Sequence, residues 1–202
     1  MRVAVLASGA GTNLQALLDR VHGRDGIEIV AVASDKPDCM ALVRARDAGV
    51  ATGIFPAGEF ASRLDRDGAL AGWLAGRDVE LVVLAGYMQL LSPSFLARFP
   101  GRVINVHPAL LPAFPGLGAV DQALAYGVKV FGVTIHVVDE GVDTGPVILQ
   151  RAVELPDAQT ADEVLSVLHE IEHELLPEAV QLIARGAVRL DPQNPRHVVI
   201  DR

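Results

Sequence analysis

Short apolar runs at Arg2–Ala7, Ile27–Ala33, Leu81–Ala85 and Val103–Val106 alternate with stretches at Asn13–Val21, Ala41–Ala48 and Phe60–Leu74. In the latter, apolar residues recur every three or four positions. Runs apolar at nearly every position suit strands covered on both faces, and the intervening periodicity suits helices. The alternation predicts βαβ units and an α/β fold, a doubly wound and mostly parallel sheet. From Val130 the pattern changes. Val130–Val138 and Val147–Leu155 read as two longer strands around a Gly-rich loop, which predicts an extension by antiparallel strands and a mixed sheet. Thr160-Ala161-Asp162-Glu163 has capping-box spacing and opens a helix whose apolar stripe is Val164, Leu168, Ile171 and Leu175. Pro177 is expected to kink or break that helix, because it has no N–H to donate. A short strand is expected at Val188–Leu190, and Asn194 to Arg202 reads as a peripheral tail.

The chain has 202 residues, half of them hydrophobic, which fits one domain over residues 1–202. Its N-terminal half (1–100) carries a phosphate-binding pattern, 101–190 the catalytic pattern, and 191–202 the tail. Aromatics are only 4%, so the core must rest on Val, Leu, Ile and Ala. A net charge of -8 provides no basic footprint and argues against nucleic acid or an anionic membrane as partner. The single cysteine, Cys39, excludes an intrachain disulfide and agrees with a reducing compartment. No cationic leader and no apolar run of about 20 residues is present, so the expected location is the cytoplasm. Oligomeric state is left open.

The chemistry concentrates in two segments. In Ile104-Asn105-Val106-His107-Pro108, strand alternation places Asn105 and His107 on one face, and Pro108 ends the ladder. An amide donor beside an imidazole is suited to holding an oxyanion and moving a proton. Asp143, in Asp139-Glu140-Gly141-Val142-Asp143-Thr144-Gly145-Pro146, is the candidate carboxylate; beside His107 it would favour the imidazolium. Taken singly, Asn105 reads as well as a turn cap, His107 as a satisfied core histidine, and Asp143 as a turn residue. Their combination points to acyl transfer.

Ser8-Gly9-Ala10-Gly11-Thr12-Asn13-Leu14 joins the first strand to the first helix, where free N–H groups and the helix dipole favour a phosphate. Leu14 stands where a dinucleotide fingerprint has its third glycine, so the fingerprint is incomplete. Asp35, after the second strand, suits a ribose. The alternative is a tight turn with Thr12 or Asn13 as a plain N-cap. His169-Glu170-Ile171-Glu172-His173 matches H-E-x-x-H and raises a zinc metalloprotease as a rival. Both histidines, however, fall toward the polar face of the predicted helix, and no third ligand lies in a recognisable motif.

With these motifs in this order, the chain resembles the folate-dependent phosphoribosylglycinamide formyltransferases. The resemblance spans almost the whole chain. It is carried by Ser8 to Leu14, Leu84-Ala85-Gly86-Tyr87-Met88-Gln89-Leu90-Leu91-Ser92-Pro93, Ile104 to Gly116 and Val138 to Gln150. It implies a Rossmann-like sheet extended by antiparallel strands, and transfer of a formyl group from 10-formyltetrahydrofolate to the amine of glycinamide ribonucleotide in purine biosynthesis, without a metal. It further implies that Gly11, Thr12 and Asn13 hold the ribonucleotide phosphate, with Glu172 and His169 contacting that substrate. Arg63, Met88, Gln89, Leu90, Leu91 and the loop Asp139, Glu140, Gly141, Val142 and Asp143 would line the folate cleft, with Asn105, His107 and Asp143 catalytic. In this reading Asn105 also touches the folate.

Three positions depart from the family pattern. Gly118 replaces a histidine common in relatives, Gln89 replaces an arginine found in some, and Phe131 precedes Gly132 where smaller or polar residues are common. His136, on the strand before the acidic loop, reads equally as a support for the site or as a packed core histidine. A 10-formyltetrahydrofolate hydrolase and methionyl-tRNA formyltransferase share the Asn-His-Asp core. The expected absence of an N-terminal regulatory domain and of a C-terminal RNA-binding domain, with the presence of the phosphate loop, favours the ribonucleotide enzyme.

Overall fold

A computed structural model describes residues 1–201. Its internal contacts fall into two compact units, Met1–Ile104 and the chain from Asn105 onward. The principal sheet has seven strands. In the first unit β1 (Arg2–Leu6), β2 (Glu28–Ser34), β3 (Ala51–Ile54) and β4 (Leu81–Leu84) lie in the order β3-β2-β1-β4, and their three ladders are parallel. β5 (Val103–His107) continues beside β4, its first two residues in this unit and the rest in the second. Every residue of β4 and nearly all of β1 is buried, as the uninterrupted apolar runs predict. Leu14 and Leu17 of α1 (Thr12–Arg20), Leu42 of α2 (Met40–Asp47), and Leu70 and Leu74 of α3 (Arg63–Ala75) are completely buried.

Helix α3 begins three residues later than the periodicity from Phe60 predicts. Ser62 caps it, its hydroxyl accepting the Asp65 N–H at 3.2 Å. Two of the strands and α-helices of this unit were not read from the sequence, nor was the helix at Ala119–Tyr126 that follows β5. β3 is four residues long and only half-buried, too short for a pattern. α4 (Pro93–Arg98) is also short, although Ser92 as N-cap and Pro93 in its first turn are a legible start signal.

In the second unit the remainder of β5 is followed by α5 (Ala119–Tyr126), β6 (Val130–Val137) and β7 (Val147–Glu154) in the order β5-β6-β7. β6 and β7 are antiparallel, with a register shift between Ile135 and His136. Phe131 is a core residue, and the neighbouring Gly132 is sterically required. A Cβ there would stand 2.5 Å from both the Arg151 carbonyl oxygen and the Leu110 side chain.

Of the kink or break expected at Pro177 the break does not occur, and the expected tail is corrected. α6 (Ala161–Ala184) runs through Pro177 without a break. The proline forfeits its own hydrogen bond to the carbonyl four residues back, but Leu175, Leu176, Ala179 and Val180 around it are buried, and that packing holds the helix together. The expected tail is instead largely a strand. β9 (Asn194–Ile200) pairs antiparallel with β8 (Val188–Asp191), and the Arg189 guanidinium clasps Asp201 through two bonds of 2.9 Å. The last residue of that predicted tail, Arg202, lies outside the described residues. Among the described residues no helix is long and apolar enough to cross a membrane.

Candidate active site

In the second unit, β5 presents Asn105 and His107 to one carboxylate. Asp143 Oδ2 lies 3.3 Å from His107 Nδ1, and Asp143 Oδ1 lies 3.4 Å from Asn105 Nδ2. His107 is 5% exposed at its side chain and Asp143 15%. The other imidazole nitrogen, His107 Nε2, is 2.8 Å from the carbonyl oxygen of Phe114 and so donates to it. His107 therefore sits between two acceptors, hydrogen-bonded to the Phe114 carbonyl and, when charged, ion-paired with Asp143. Pro112 follows a cis peptide bond, and Phe114 adopts a left-handed backbone at φ 53°. The loop is fastened again two residues on, where the Gly116 N–H donates to Asp143 Oδ2 at 2.8 Å.

His136 completes the cluster. Its Nδ1 is 2.9 Å from the Val137 carbonyl and donates there, which leaves Nε2 facing Asn105 Nδ2 at 3.2 Å and Asp143 Oδ1 at 3.5 Å. The neutral ring accepts from the Asn105 amide, and the charged ring donates to Asp143. Asp143 is held at a pKa of about 2, chiefly by the hydrogen bond with His136. The Gly116 N–H and the neighbouring His107 and His136 charges add to this against the opposing effect of burial. With His136 neutral, both N–H bonds of Asn105 are engaged. An oxyanion arriving at this amide displaces one of them, and the 3.4 Å contact to Asp143 is the weaker.

The Gly-rich loop is braced from inside. Asp139 Oδ1 accepts from the Gly141 N–H at 3.1 Å and the Thr144 hydroxyl at 2.6 Å. A Cβ on Gly141 would overlap Thr144 Oγ1 at 2.0 Å, and one on Gly145 would overlap the Val137 carbonyl oxygen at 1.8 Å. Glu140 and Val142 are exposed. Arg196 of β9 donates to the Thr144 carbonyl at 2.8 Å, a support that the reading of 191–202 as a tail missed. On α6, Glu172 is buried at 5% exposure, and His169 and Glu170 are exposed. His173 is half-buried with its ring centroid 6.3 Å from that of His169. Among the described residues no three His, Cys, Asp or Glu side chains form a group able to hold a metal ion.

In the first unit the glycine-rich turn has Gly11, not Thr12 or Asn13, as the N-cap of α1. Gly11 is required twice over. Its φ is 70°, and a Cβ would stand 2.7 Å from Ala41 Cα. The absence of a side-chain cap leaves Thr12 half-buried at the start of the helix, with Asn13 buried behind it. Asp35, the ribose candidate, is engaged at both carboxylate oxygens. One oxygen accepts from the Ser8 hydroxyl at 2.5 Å and the other from Gln89 Nε2 at 3.0 Å.

Arg63 is exposed in the first turn of α3, and Met88 and Leu90 are also exposed, with Leu91 half-buried. Gln89 has its amide engaged at both ends, since Oε1 accepts from Arg66 at 2.7 Å. Arg66 and its ion-pair partner Asp67 are both buried, and neither was singled out in the sequence. Their signal is a charged pair, Arg66-Asp67, beside the buried face of an amphipathic helix. The neighbouring Tyr87 hydroxyl has no hydrogen-bond partner among the described residues, and burial pushes its pKa up to about 12.

Comparison with known proteins gives one family. A formyl transferase profile matches residues 1–180. The phosphoribosylglycinamide formyltransferase of Haemophilus influenzae is 38% identical, the match covering 94% of this chain and 90% of that protein. The trifunctional purine biosynthetic protein adenosine-3 of Drosophila melanogaster is 42% identical over 95% of the chain, which spans only 14% of that longer protein. Among solved structures, glycinamide ribonucleotide transformylase 1 from Symbiobacterium toebii superposes with a TM-score of 0.95 at 45% identity, covering 100% of this chain and 94% of its own.

Proposed function

The chain belongs to the formyl transferase family and, within it, to the phosphoribosylglycinamide formyltransferases, and from that premise we propose how its residues carry out the transfer. The reaction moves the formyl group of 10-formyltetrahydrofolate to the amine of 5'-phosphoribosylglycinamide, giving the N-formyl ribonucleotide and tetrahydrofolate. The observation that carries the mechanism is the convergence of Asn105 and His107 on the two oxygens of Asp143, at 3.4 and 3.3 Å.

The neutral amine attacks the formyl carbon, and the carbonyl oxygen takes up the displaced electron pair. Asn105 Nδ2 turns one N–H from Asp143 to that oxyanion, and the His107 charge stabilises it. Collapse of the tetrahedral carbon breaks its bond to the folate nitrogen. His107 Nε2, leaving the Phe114 carbonyl, delivers the proton that nitrogen needs. The proton lost by the attacking amine returns to the imidazole through Asp143 and water. No covalent enzyme intermediate is involved, so positioning of two bound substrates supplies much of the rate.

Further roles are assigned residue by residue. The N–H groups of Gly11, Thr12 and Asn13 at the start of α1 receive the phosphate. Glu172 and His169 serve the ribonucleotide. Arg63, the backbone of Met88 to Leu91, and the loop from Asp139 through Glu140, Gly141 and Val142 to Asp143 serve the folate. This chemistry calls for no metal, nucleic acid or membrane, and the proposed location is the cytoplasm.

The assay follows deformylation of 10-formyltetrahydrofolate by absorbance, with and without glycinamide ribonucleotide, before and after chelator treatment. Release that requires the ribonucleotide and survives chelation supports the proposal. Release without the ribonucleotide makes the protein a hydrolase, and loss on chelation implicates a metal.

A further inference from the structure

The segment Ala85–Ser92 lies between β4 and α4 without helix or strand of its own, so side chains must hold its backbone. They form one continuous chain. The Ser8 N–H donates to the Gly86 carbonyl at 3.0 Å, and the Ser8 hydroxyl accepts the Met88 N–H at 2.9 Å while donating to Asp35. Asp35 accepts from Gln89 Nε2, Gln89 Oε1 accepts from Arg66 Nη1, and Arg66 Nη2 donates to the Leu90 carbonyl at 3.0 Å. Asp67 anchors the far end, its Oδ1 taking the Arg66 guanidinium and its Oδ2 the Ser92 N–H at 2.6 Å. Ser8, Asp35, Arg66 and Asp67 are all buried.

Only one orientation of the Gln89 amide satisfies both neighbours, a carboxylate on one side and a guanidinium on the other. Ser8 also immediately precedes Gly9 in the glycine-rich turn. The two segments assigned above to the ribonucleotide phosphate and to the folate are therefore built on a single hydrogen-bonded frame with buried anchors at both ends. Gln89 is its middle link.

We propose that Gln89 is a positioning residue that couples the two substrates, through Asp35 and Ser8 to the glycine-rich turn and through Arg66 to the Met88–Leu90 backbone. The inference rests on the substrate assignment above. A phosphate on the glycine-rich turn restrains Ser8, and the shared frame then presents Met88–Leu90 already ordered to the folate. By linkage the effect is reciprocal. Gln89 thus acts on folate affinity through Asp35 and Arg66, which hold the two ends of its amide.

The test has two readouts on the intact protein, with Gln89→Leu, which breaks both links, and Gln89→Glu. The latter keeps the acceptor toward Arg66 and sets a carboxylate against Asp35. The first readout is hydrogen exchange of the Met88–Leu90 amides with and without glycinamide ribonucleotide. The second is the ratio of the KM for 10-formyltetrahydrofolate at low and at saturating ribonucleotide. In the wild type, ribonucleotide slows exchange at these amides and lowers that KM by about fivefold. Both responses are lost in Gln89→Leu and in Gln89→Glu, whatever happens to the thermal midpoint.

Responses of equal size in wild type and variants, or no response in the wild type, overturn the coupling. A wild type that shows the exchange response yet transfers no formyl group leaves the coupling standing and overturns the proposed reaction instead.

Discussion

Asp143 Oδ2 is shared between His107 Nδ1 at 3.3 Å and the Gly116 N–H at 2.8 Å, so one carboxylate oxygen orients the imidazole and fastens the loop that covers it. The carboxylate is held at a pKa of about 2 against an ordinary 3.8. A folded-state pKa below the unfolded one means that the ionised group stabilises the fold at pH above about 4, and that this contribution is lost as pH falls toward 2. Denaturation midpoints across that range should show wild type ahead of Asp143→Asn by on the order of 1–2 kcal/mol near neutrality, with the gap closing below pH 4. A gap independent of pH would contradict the assignment. Turnover of the variant should fall by roughly 10²-fold or more, as expected for loss of an acid–base partner.

Asn105 carries a different signature. Its amide nitrogen touches His136 and Asp143 rather than a packed apolar neighbour, so Asn105→Ala removes donors without opening the core. A folded variant that binds both substrates should lose about 10²–10³-fold in kcat, the cost of one oxyanion donor, with little change in either KM. Near-normal kcat would remove Asn105 from the mechanism.

At the glycine-rich turn, Gly11→Ala meets two penalties, a left-handed backbone at φ 70° and a contact of 2.7 Å with Ala41 Cα. Together they predict a loss of about 2–4 kcal/mol in unfolding free energy. The KM for the ribonucleotide should rise more than the KM for the folate, because the start of α1 is displaced. A variant as stable as the wild type would show that α2 yields there.

The parts of the fold carried by long periodic or uninterrupted patterns were legible in the sequence. β1, β2, β4 and the α6 start with its Thr160–Glu163 capping box follow directly from residue order. What escaped was decided by tertiary contact. Pro177 is tolerated because buried neighbours hold α6 together, and Asn194–Ile200 becomes a strand because β8 offers it a partner. The cluster at Asp143 shows the same division. Asn105 and His107 were readable because strand alternation is local, and Asp143 because its loop is distinctive. The Phe114 carbonyl, the Gly116 N–H and Arg196 were not, since backbone groups and a lone surface arginine carry no pattern in sequence. Arg66 and Gln89 illustrate the remaining difficulty. The sequence placed Gln89 beside the folate, and only the structure shows that each end of its amide also bonds to a buried charged side chain.

The most direct test of the central claim is a single turnover with 10-formyltetrahydrofolate labelled in the formyl carbon, enzyme in excess, and glycinamide ribonucleotide present. The account predicts that the label appears on the ribonucleotide amine in step with tetrahydrofolate, and that His107→Ala slows both together. Label recovered as free formate, or transfer at an undiminished rate in His107→Ala, would contradict it.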